Sequence, residues 1–277
     1  MRHADFQRPI AVITGATSGI GAAFARRLAA DGYDLVVTGR RKEKISQLVK
    51  EIEERYGTQV ETILCELSNI DHVDRLVRRL VEKDEVAVLV NNAGYGLSQP
   101  FADADVETSL TMLKVHIDAS LRLIHAVLPS MRKRQKGSII NVSSLASLIP
   151  LPEGSVYAAT KAFLTVFTES LYLELRRDNI RLQALLPGFT RTDFHDQMVL
   201  RADKSNPDQV AADPRHGGGM LRFMSAEKVV DKSLRALRRG RVICIPGGTN
   251  RTLALFVRLL PRKVVYALVS KATVNKR

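Results

Sequence analysis

Tyr157 and Lys161 stand four residues apart in a segment patterned as a helix, so their side chains share one face. A free phenol has a pKa near 10 and is a poor proton donor or acceptor at neutral pH. Working near pH 7 requires lowering that value by about three units, roughly 4 kcal/mol of differential stabilisation. A fixed ammonium such as that of Lys161 acts in that direction. Ser144 lies 13 residues before Tyr157, at the end of a strand, where its hydroxyl can donate to the same substrate oxygen that the phenol would protonate. A second constellation sits near the N-terminus, in Thr14-Gly15-Ala16-Thr17-Ser18-Gly19-Ile20-Gly21. Its glycines let the backbone turn tightly and approach a pyrophosphate, whose charge meets amides at a helix N-terminus. The chemistry suggested is proton transfer beside a bound dinucleotide.

The end of the second strand reads Thr38-Gly39-Arg40-Arg41. Dinucleotide folds that bind NAD place an Asp or Glu there for the ribose 2′-hydroxyl. An acid would repel a 2′-phosphate, whereas a guanidinium forks onto one. The cofactor expected is therefore NADP(H), with Arg40 the main contact and Arg41 or Ser18 assisting; Arg41 also reads as plain surface charge at a helix start.

Alternating β-branched runs and helical patterns must position these groups. Strands are predicted at Ile10–Thr14, Asp34–Thr38, Gln59–Leu64, Val86–Val90, Ser138–Val142, Ile180–Leu186 and Val242–Ile245. Helices are predicted from the glycine turn through Ala30, then at Lys42–Tyr56, Ile70–Val81, Val106–Arg134, Val156–Arg177 and Ala226–Arg239. Regular β-α alternation implies an α/β fold: one Rossmann-like, doubly wound parallel sheet of about seven strands with helices on both faces. Residues 1–248 are read as one cofactor-binding and catalytic domain, and residues 249–277 as a basic, apolar helical extension. The stretch 189–225 reads as an irregular substrate lid. Its Phe189, Phe194, Met198, Leu200, Met220 and Phe223 favour an apolar substrate.

Five motifs in order resemble the short-chain dehydrogenase/reductase family: the TGxxxGxG turn, Asn91-Asn92-Ala93-Gly94, Ser144, Tyr157-Ala-Ala-Thr-Lys161, and Pro187-Gly188-Phe-Thr190-Arg-Thr192. They span roughly residues 8 to 245. The resemblance implies a cofactor site at Gly15, Thr17, Ser18, Gly19, Ile20, Gly21, Arg40, Arg41, Asn92, Ala93, Gly94, Pro187, Gly188, Thr190 and Thr192. Glu66 and Leu67 fall where the family holds adenine with an Asp and an apolar residue, so Glu66 is a departure. The implied catalytic roles are Tyr157 as proton donor, Lys161 beside it and on the nicotinamide ribose, and Ser144 on the substrate oxygen. The family's fourth position, an Asn that holds a relay water, is occupied by His116. An imidazole can donate, accept and titrate near neutrality, so His116 reads either as a proton-transfer group or as a histidine packed in its helix. The implied activity is NADPH-dependent interconversion of an apolar ketone or aldehyde and its alcohol, in a homodimer or homotetramer. The alternative is a catalytically silent, NADP-binding regulator or scaffold, at a membrane surface or elsewhere; retention of both Tyr157 and Lys161 argues against it.

Charge singles out the C-terminal segment. The chain carries 42 Lys+Arg against 29 Asp+Glu, a net of +13, yet no acidic residue follows Asp231, while residues 232–277 hold 12 Lys+Arg. Two readings of this tail stand: a solvated or subunit-facing helix pair, or contact with an anionic surface. Its apolar runs fall short of the ~18 residues of a spanning helix, which leaves a basic amphipathic helix at a membrane surface. Few aromatics make nucleic acid a poor partner. Two cysteines give no disulfide framework, His195 and His216 lack the spacing of metal ligands, and the short apolar run at the start predicts a cytoplasmic protein, peripheral at most to the membrane's inner face.

Overall fold

The computed structural model of the chain describes residues 8–83, 85–97, 99–191 and 223–274. In chain order its strands are β1 (Ile10–Ile13), β2 (Asp34–Gly39), β3 (Val60–Leu64), β4 (Val86–Asn91), β5 (Gly137–Val142), β6 (Ile180–Leu185), β7 (Thr190–Arg191), β8 (Met224–Ser225) and β9 (Ile243–Cys244). The helices are α1 (Gly19–Ala30), α2 (Lys42–Tyr56), α3 (Ile70–Val81), α4 (Val106–Leu113), α5 (Ala119–Lys133), α6 (Ser155–Glu174), α7 (Ala226–Arg238), α8 (Gly248–Leu259) and α9 (Arg262–Val274). Seven strands form one sheet in the order β3-β2-β1-β4-β5-β6-β9, with every neighbouring pair parallel. The sequence expectation of a Rossmann-like sheet holds, and the basic extension is helical.

Period-two alternation explains the two layers. In β1, Ala11 and Ile13 join Phe24 and Leu28 of α1 and Val229 and Leu234 of α7 on one face. Ile10 and Val12 join Leu76 of α3, Leu123 and Val127 of α5 and Leu171 of α6 on the other. Both faces are covered, so the central strands read as unbroken apolar runs. Local signals set the ends. Asp34, buried at the start of β2, accepts from the backbone N–H of Gln59 at 3.1 Å and so fixes the entry to β3. Asn69 caps α3 by accepting from the Asp71 and His72 amides.

Two expectations are corrected. The helix predicted over Val106–Arg134 is interrupted by a π-helical segment at Lys114–Asp118, where the Ala119 N–H reaches back to the Lys114 carbonyl. One extra residue in the turn swings His116 inward until it is fully buried. The segment 189–225 is not irregular throughout: β7 and β8 pair in parallel at its two ends, and the Phe189 and Phe223 rings meet at 5.7 Å. Most of the expected lid, with Thr192, His195 and His216, lies outside the described residues.

Candidate active site

Because the sheet is parallel, the segments after β1, β4, β5 and β6 all leave its carboxyl edge, and each carries one of the motifs. The glycine turn is clamped to the segment after β4. Thr14 Oγ1 accepts from the Asn92 and Ala93 amides, both at 3.0 Å, and Asn92 Nδ2 donates to the Thr14 and Gly15 carbonyls at 2.9 and 3.1 Å. Gly15 has φ +66°, and a Cβ there would stand 2.8 Å from Ala93 Cα. A Cβ on Gly21 would fall 2.3 Å from the Gly15 carbonyl oxygen. Bare backbone is therefore required at both places. Ser18 is the N-cap of α1 yet makes no side-chain cap, leaving the first amides at Gly19, Ile20 and Gly21 without one. An uncapped, glycine-lined helix start is the cradle that a dinucleotide pyrophosphate fits.

The two arginines take different partners within the protein. Arg41 Nη2 donates to Thr17 Oγ1 at 2.8 Å and to Ser18 Oγ at 2.7 Å, so the Ser18 hydroxyl is engaged away from the helix start. Arg40 pairs with Glu66 at 2.9 Å. Burial alone would push the Glu66 carboxyl up, but Arg40 and Ser68 hold it below its ordinary value. Leu67, beside it, is buried.

Ser144, Tyr157 and Lys161 meet where β5 ends against α6. Ser144 begins a one-turn helix (Leu145–Leu148) by accepting from the Ala146 amide, and it is hydrogen-bonded to the half-buried Tyr157 phenol. Lys161 is buried, its Nζ 5.7 Å from the Tyr157 ring centre and donating to the Val142 carbonyl at 2.9 Å. Burial pushes the Tyr157 pKa up, against a smaller downward pull from Ser144. Burial also holds the Lys161 ammonium down to about 8. On the phenol, burial thus outweighs the pull of Ser144.

His116 is held at both ring nitrogens. Nε2 accepts from the Tyr95 amide at 3.0 Å, so Nδ1 carries the proton and donates to Thr160 Oγ1 at 2.8 Å. Thr160 in turn donates to the Tyr157 carbonyl at 2.7 Å. Desolvation, with the nearby Lys161, keeps the ring neutral by lowering its pKa well below the ordinary value. A Cβ on Gly94 would sit 2.9 Å from Nε2, so that glycine admits the imidazole.

The segment after β6 closes the site. The Pro187 carbonyl accepts from the Leu145 amide at 3.1 Å, and Thr190 Oγ1 donates to the Gly188 carbonyl at 3.0 Å. Gly188 faces Asn250 of α8 so closely that a Cβ would lie 2.6 Å from its amide nitrogen. Sequence reasoning missed several positioning residues: Thr14, Ser143, Thr160, Asn250 and the buried chain Asn91–Asn141–Thr168, each link 2.9 Å, across β4, β5 and α6. A lone Asn inside an apolar strand was the available signal, since a buried amide demands a partner.

Compared with known proteins, residues 9–202 match the family model described as short chain dehydrogenase. The chain belongs to the short-chain dehydrogenase family. It is 35% identical over 202 residues to the very-long-chain 3-oxoacyl-CoA reductase of Anas platyrhynchos, covering 72% of this chain and 65% of that one, less than two thirds of its length. Among solved structures, a short-chain dehydrogenase from Sphingobium yanoikuyae in complex with NADPH superposes with a TM-score of 0.79 at 30% identity, over 94% of this chain and 95% of that. A family member from Burkholderia phymatum in complex with NAD gives 0.78 at 26% identity, over 93% and 94%. The protein is thus an oxidoreductase of this family.

Proposed function

We propose that this short-chain dehydrogenase interconverts an apolar ketone or aldehyde and its alcohol, using NADP(H). The observation that carries the reading is the meeting of Ser144, Tyr157 and Lys161 at the sheet edge where the clamped glycine turn also emerges. When bound, the nicotinamide supplies or takes up the hydride and, oxidised, adds positive charge. The residues Gly15, Gly19, Ile20 and Gly21 would hold its diphosphate, Glu66 and Leu67 its adenine, and Lys161, Pro187, Gly188, Thr190 and Thr192 the nicotinamide half. Tyr157 gives its proton to the substrate oxygen in reduction, and Ser144 donates to that oxygen. Lys161, held down to about 8, still carries its charge at pH 7, with its Nζ 5.7 Å from the Tyr157 ring centre.

Arg41, already on Thr17 and Ser18, is the better placed of the two guanidiniums to meet a 2′-phosphate, with no acid at the carboxyl end of β2 to repel one. His116 is assigned a positioning role, since both its nitrogens are engaged within the protein. The apolar choice of substrate rests on the side chains of 189–225 and on likeness to a reductase of very long acyl chains. A cytoplasmic setting accords with Cys65 and Cys244 being buried and unbonded to each other. Following absorbance of the reduced nicotinamide over a panel of ketones and alcohols tests the reading. Turnover with NADPH well ahead of NADH is expected, dropping about 10²- to 10⁴-fold in Tyr157→Phe. Undiminished turnover in that variant would remove the catalytic assignment.

A further inference from the structure

We infer that α8 and α9 dock on an anionic lipid bilayer, lying in its headgroup layer and holding the mouth of the crevice against it. α8 turns Asn250 and Ala254 inward and leaves Leu255, Phe256 and Leu259 57%, 60% and 73% exposed. At 3.6 residues per turn these three share the outer arc of the helix, and the exposed Arg251 and Arg258 line one flank. α9 adds a smaller patch: Val265 is buried, Val264 and Leu268, four residues apart, share one exposed side, and Arg262, Lys263 and Lys271 are exposed. An apolar face edged by Lys and Arg is how a helix lies in a membrane interface, its cations reaching up to phosphates. No helix among the described residues is long and apolar enough to cross a membrane.

Charge decides between a bilayer and a second copy of the chain. No acidic residue follows Asp231, so two copies meeting through this face would confront two sets of Arg and Lys. An anionic bilayer gains from every one of them while also burying Leu255, Phe256 and Leu259. The other exposed apolar set, Phe163, Val166 and Leu173 on α6, has a mixed surround of Glu169 and Glu174 with Arg176 and Arg177.

Placement gives the docking a consequence. α8 packs on the Leu145–Leu148 turn that begins at Ser144, and its Asn250 abuts Gly188. Docked helices therefore bring the carboxyl edge of the sheet to the lipid, so that, on the reductase reading above, a membrane-dissolved ketone enters without crossing water.

Flotation of the full chain with phosphatidylcholine vesicles, with and without phosphatidylglycerol, tests this. Binding to the anionic vesicles alone is expected, weakening as salt rises. The triple variant Leu255→Ser, Phe256→Ser, Leu259→Ser should bind at least about tenfold more weakly. Each of Arg258→Gln and Lys263→Gln should lose about fivefold. All these variants should keep the wild-type circular dichroism and the wild-type reduction of a water-soluble ketone. Vesicle binding without turnover of any ketone supports the docking and removes the reductase reading. Failure to bind either vesicle, equal binding to both, or a triple variant whose effect is a lower oligomer mass by light scattering overturns the docking.

Discussion

Lys161 shows how burial sets the chemistry of a single side chain. Its ordinary pKa is 10.5, and in the fold it lies near 8, so between those values the unfolded chain binds a proton that the folded chain does not. Stability then rises with pH across that window, and the contribution is lost as pH falls through about 8. Lys161→Met should therefore be more stable than the wild type at pH 7, by on the order of 2 kcal/mol after allowing for the lost hydrogen bond to Val142. The difference should shrink steadily above pH 8, and thermal melts of both proteins at pH 7, 9 and 10 measure it. A gap that widened with pH would contradict the assigned direction. The arginines give a second prediction at this scale. Arg41→Ala should raise KM for NADPH about 10- to 100-fold and leave that for NADH unchanged, because a charge-assisted phosphate contact contributes about 1.5–3 kcal/mol. Arg40→Ala, whose guanidinium already pairs with Glu66, should do less. The adjacency of two arginines was plain in the sequence; which one faces the turn depended on Thr17 and Ser18 after β1 and Glu66 after β3 meeting in space.

Helices and turns act here as clasps between strands. The π-helical segment at Lys114–Asp118 carries His116 to a place that a regular helix would deny it, and the imidazole then ties the Tyr95 amide to Thr160 and so to the backbone of Tyr157. Removing it takes the acceptor from the buried Tyr95 amide, takes one of two hydrogen bonds from Thr160, and leaves a cavity beside α6. His116→Ala should lose about 2–4 kcal/mol of stability, read by denaturant titration. It should raise KM for the cofactor through the Asn92–Gly94 segment and leave the shape of the pH–rate profile unchanged, since a ring kept neutral has no proton to exchange. Loss of one limb of that profile would return His116 to the proton path. Nothing in the local sequence announces a π turn, because helix periodicity reads the same on both sides of one inserted residue.

At the scale of the whole molecule, two exposed apolar surfaces among the described residues differ in their charged surroundings. One, on α4 and α6, presents Val106, Leu110, Phe163, Val166 and Leu173; the other, on α8 and α9, is wrapped in Arg and Lys. An exposed apolar face suits a two-fold contact, and the expected homodimer or homotetramer would use the first. The double variant Val166→Glu, Leu173→Glu should then fall to a smaller species in analytical ultracentrifugation while keeping its fold. An unchanged sedimentation coefficient would rule out that face.

The strand–helix alternation, the glycine turn, and the Ser144, Tyr157 and Lys161 triplet were legible in the chain because each rests on short spacing: a period of two or 3.6 residues, or a motif within one stretch of the chain. The charge asymmetry about Asp231 was equally plain, being a matter of counting. Partners distant in the chain were not legible, and they decide the chemistry: Arg40 went to Glu66, Thr14 to Asn92, His116 to Tyr95 and Thr160. The same packing that gathers the reactive groups removes their water, which is why the phenol's pKa is pushed up where spacing alone suggested it would come down. Desolvation is a property of everything around a side chain, and only the tertiary structure supplies that.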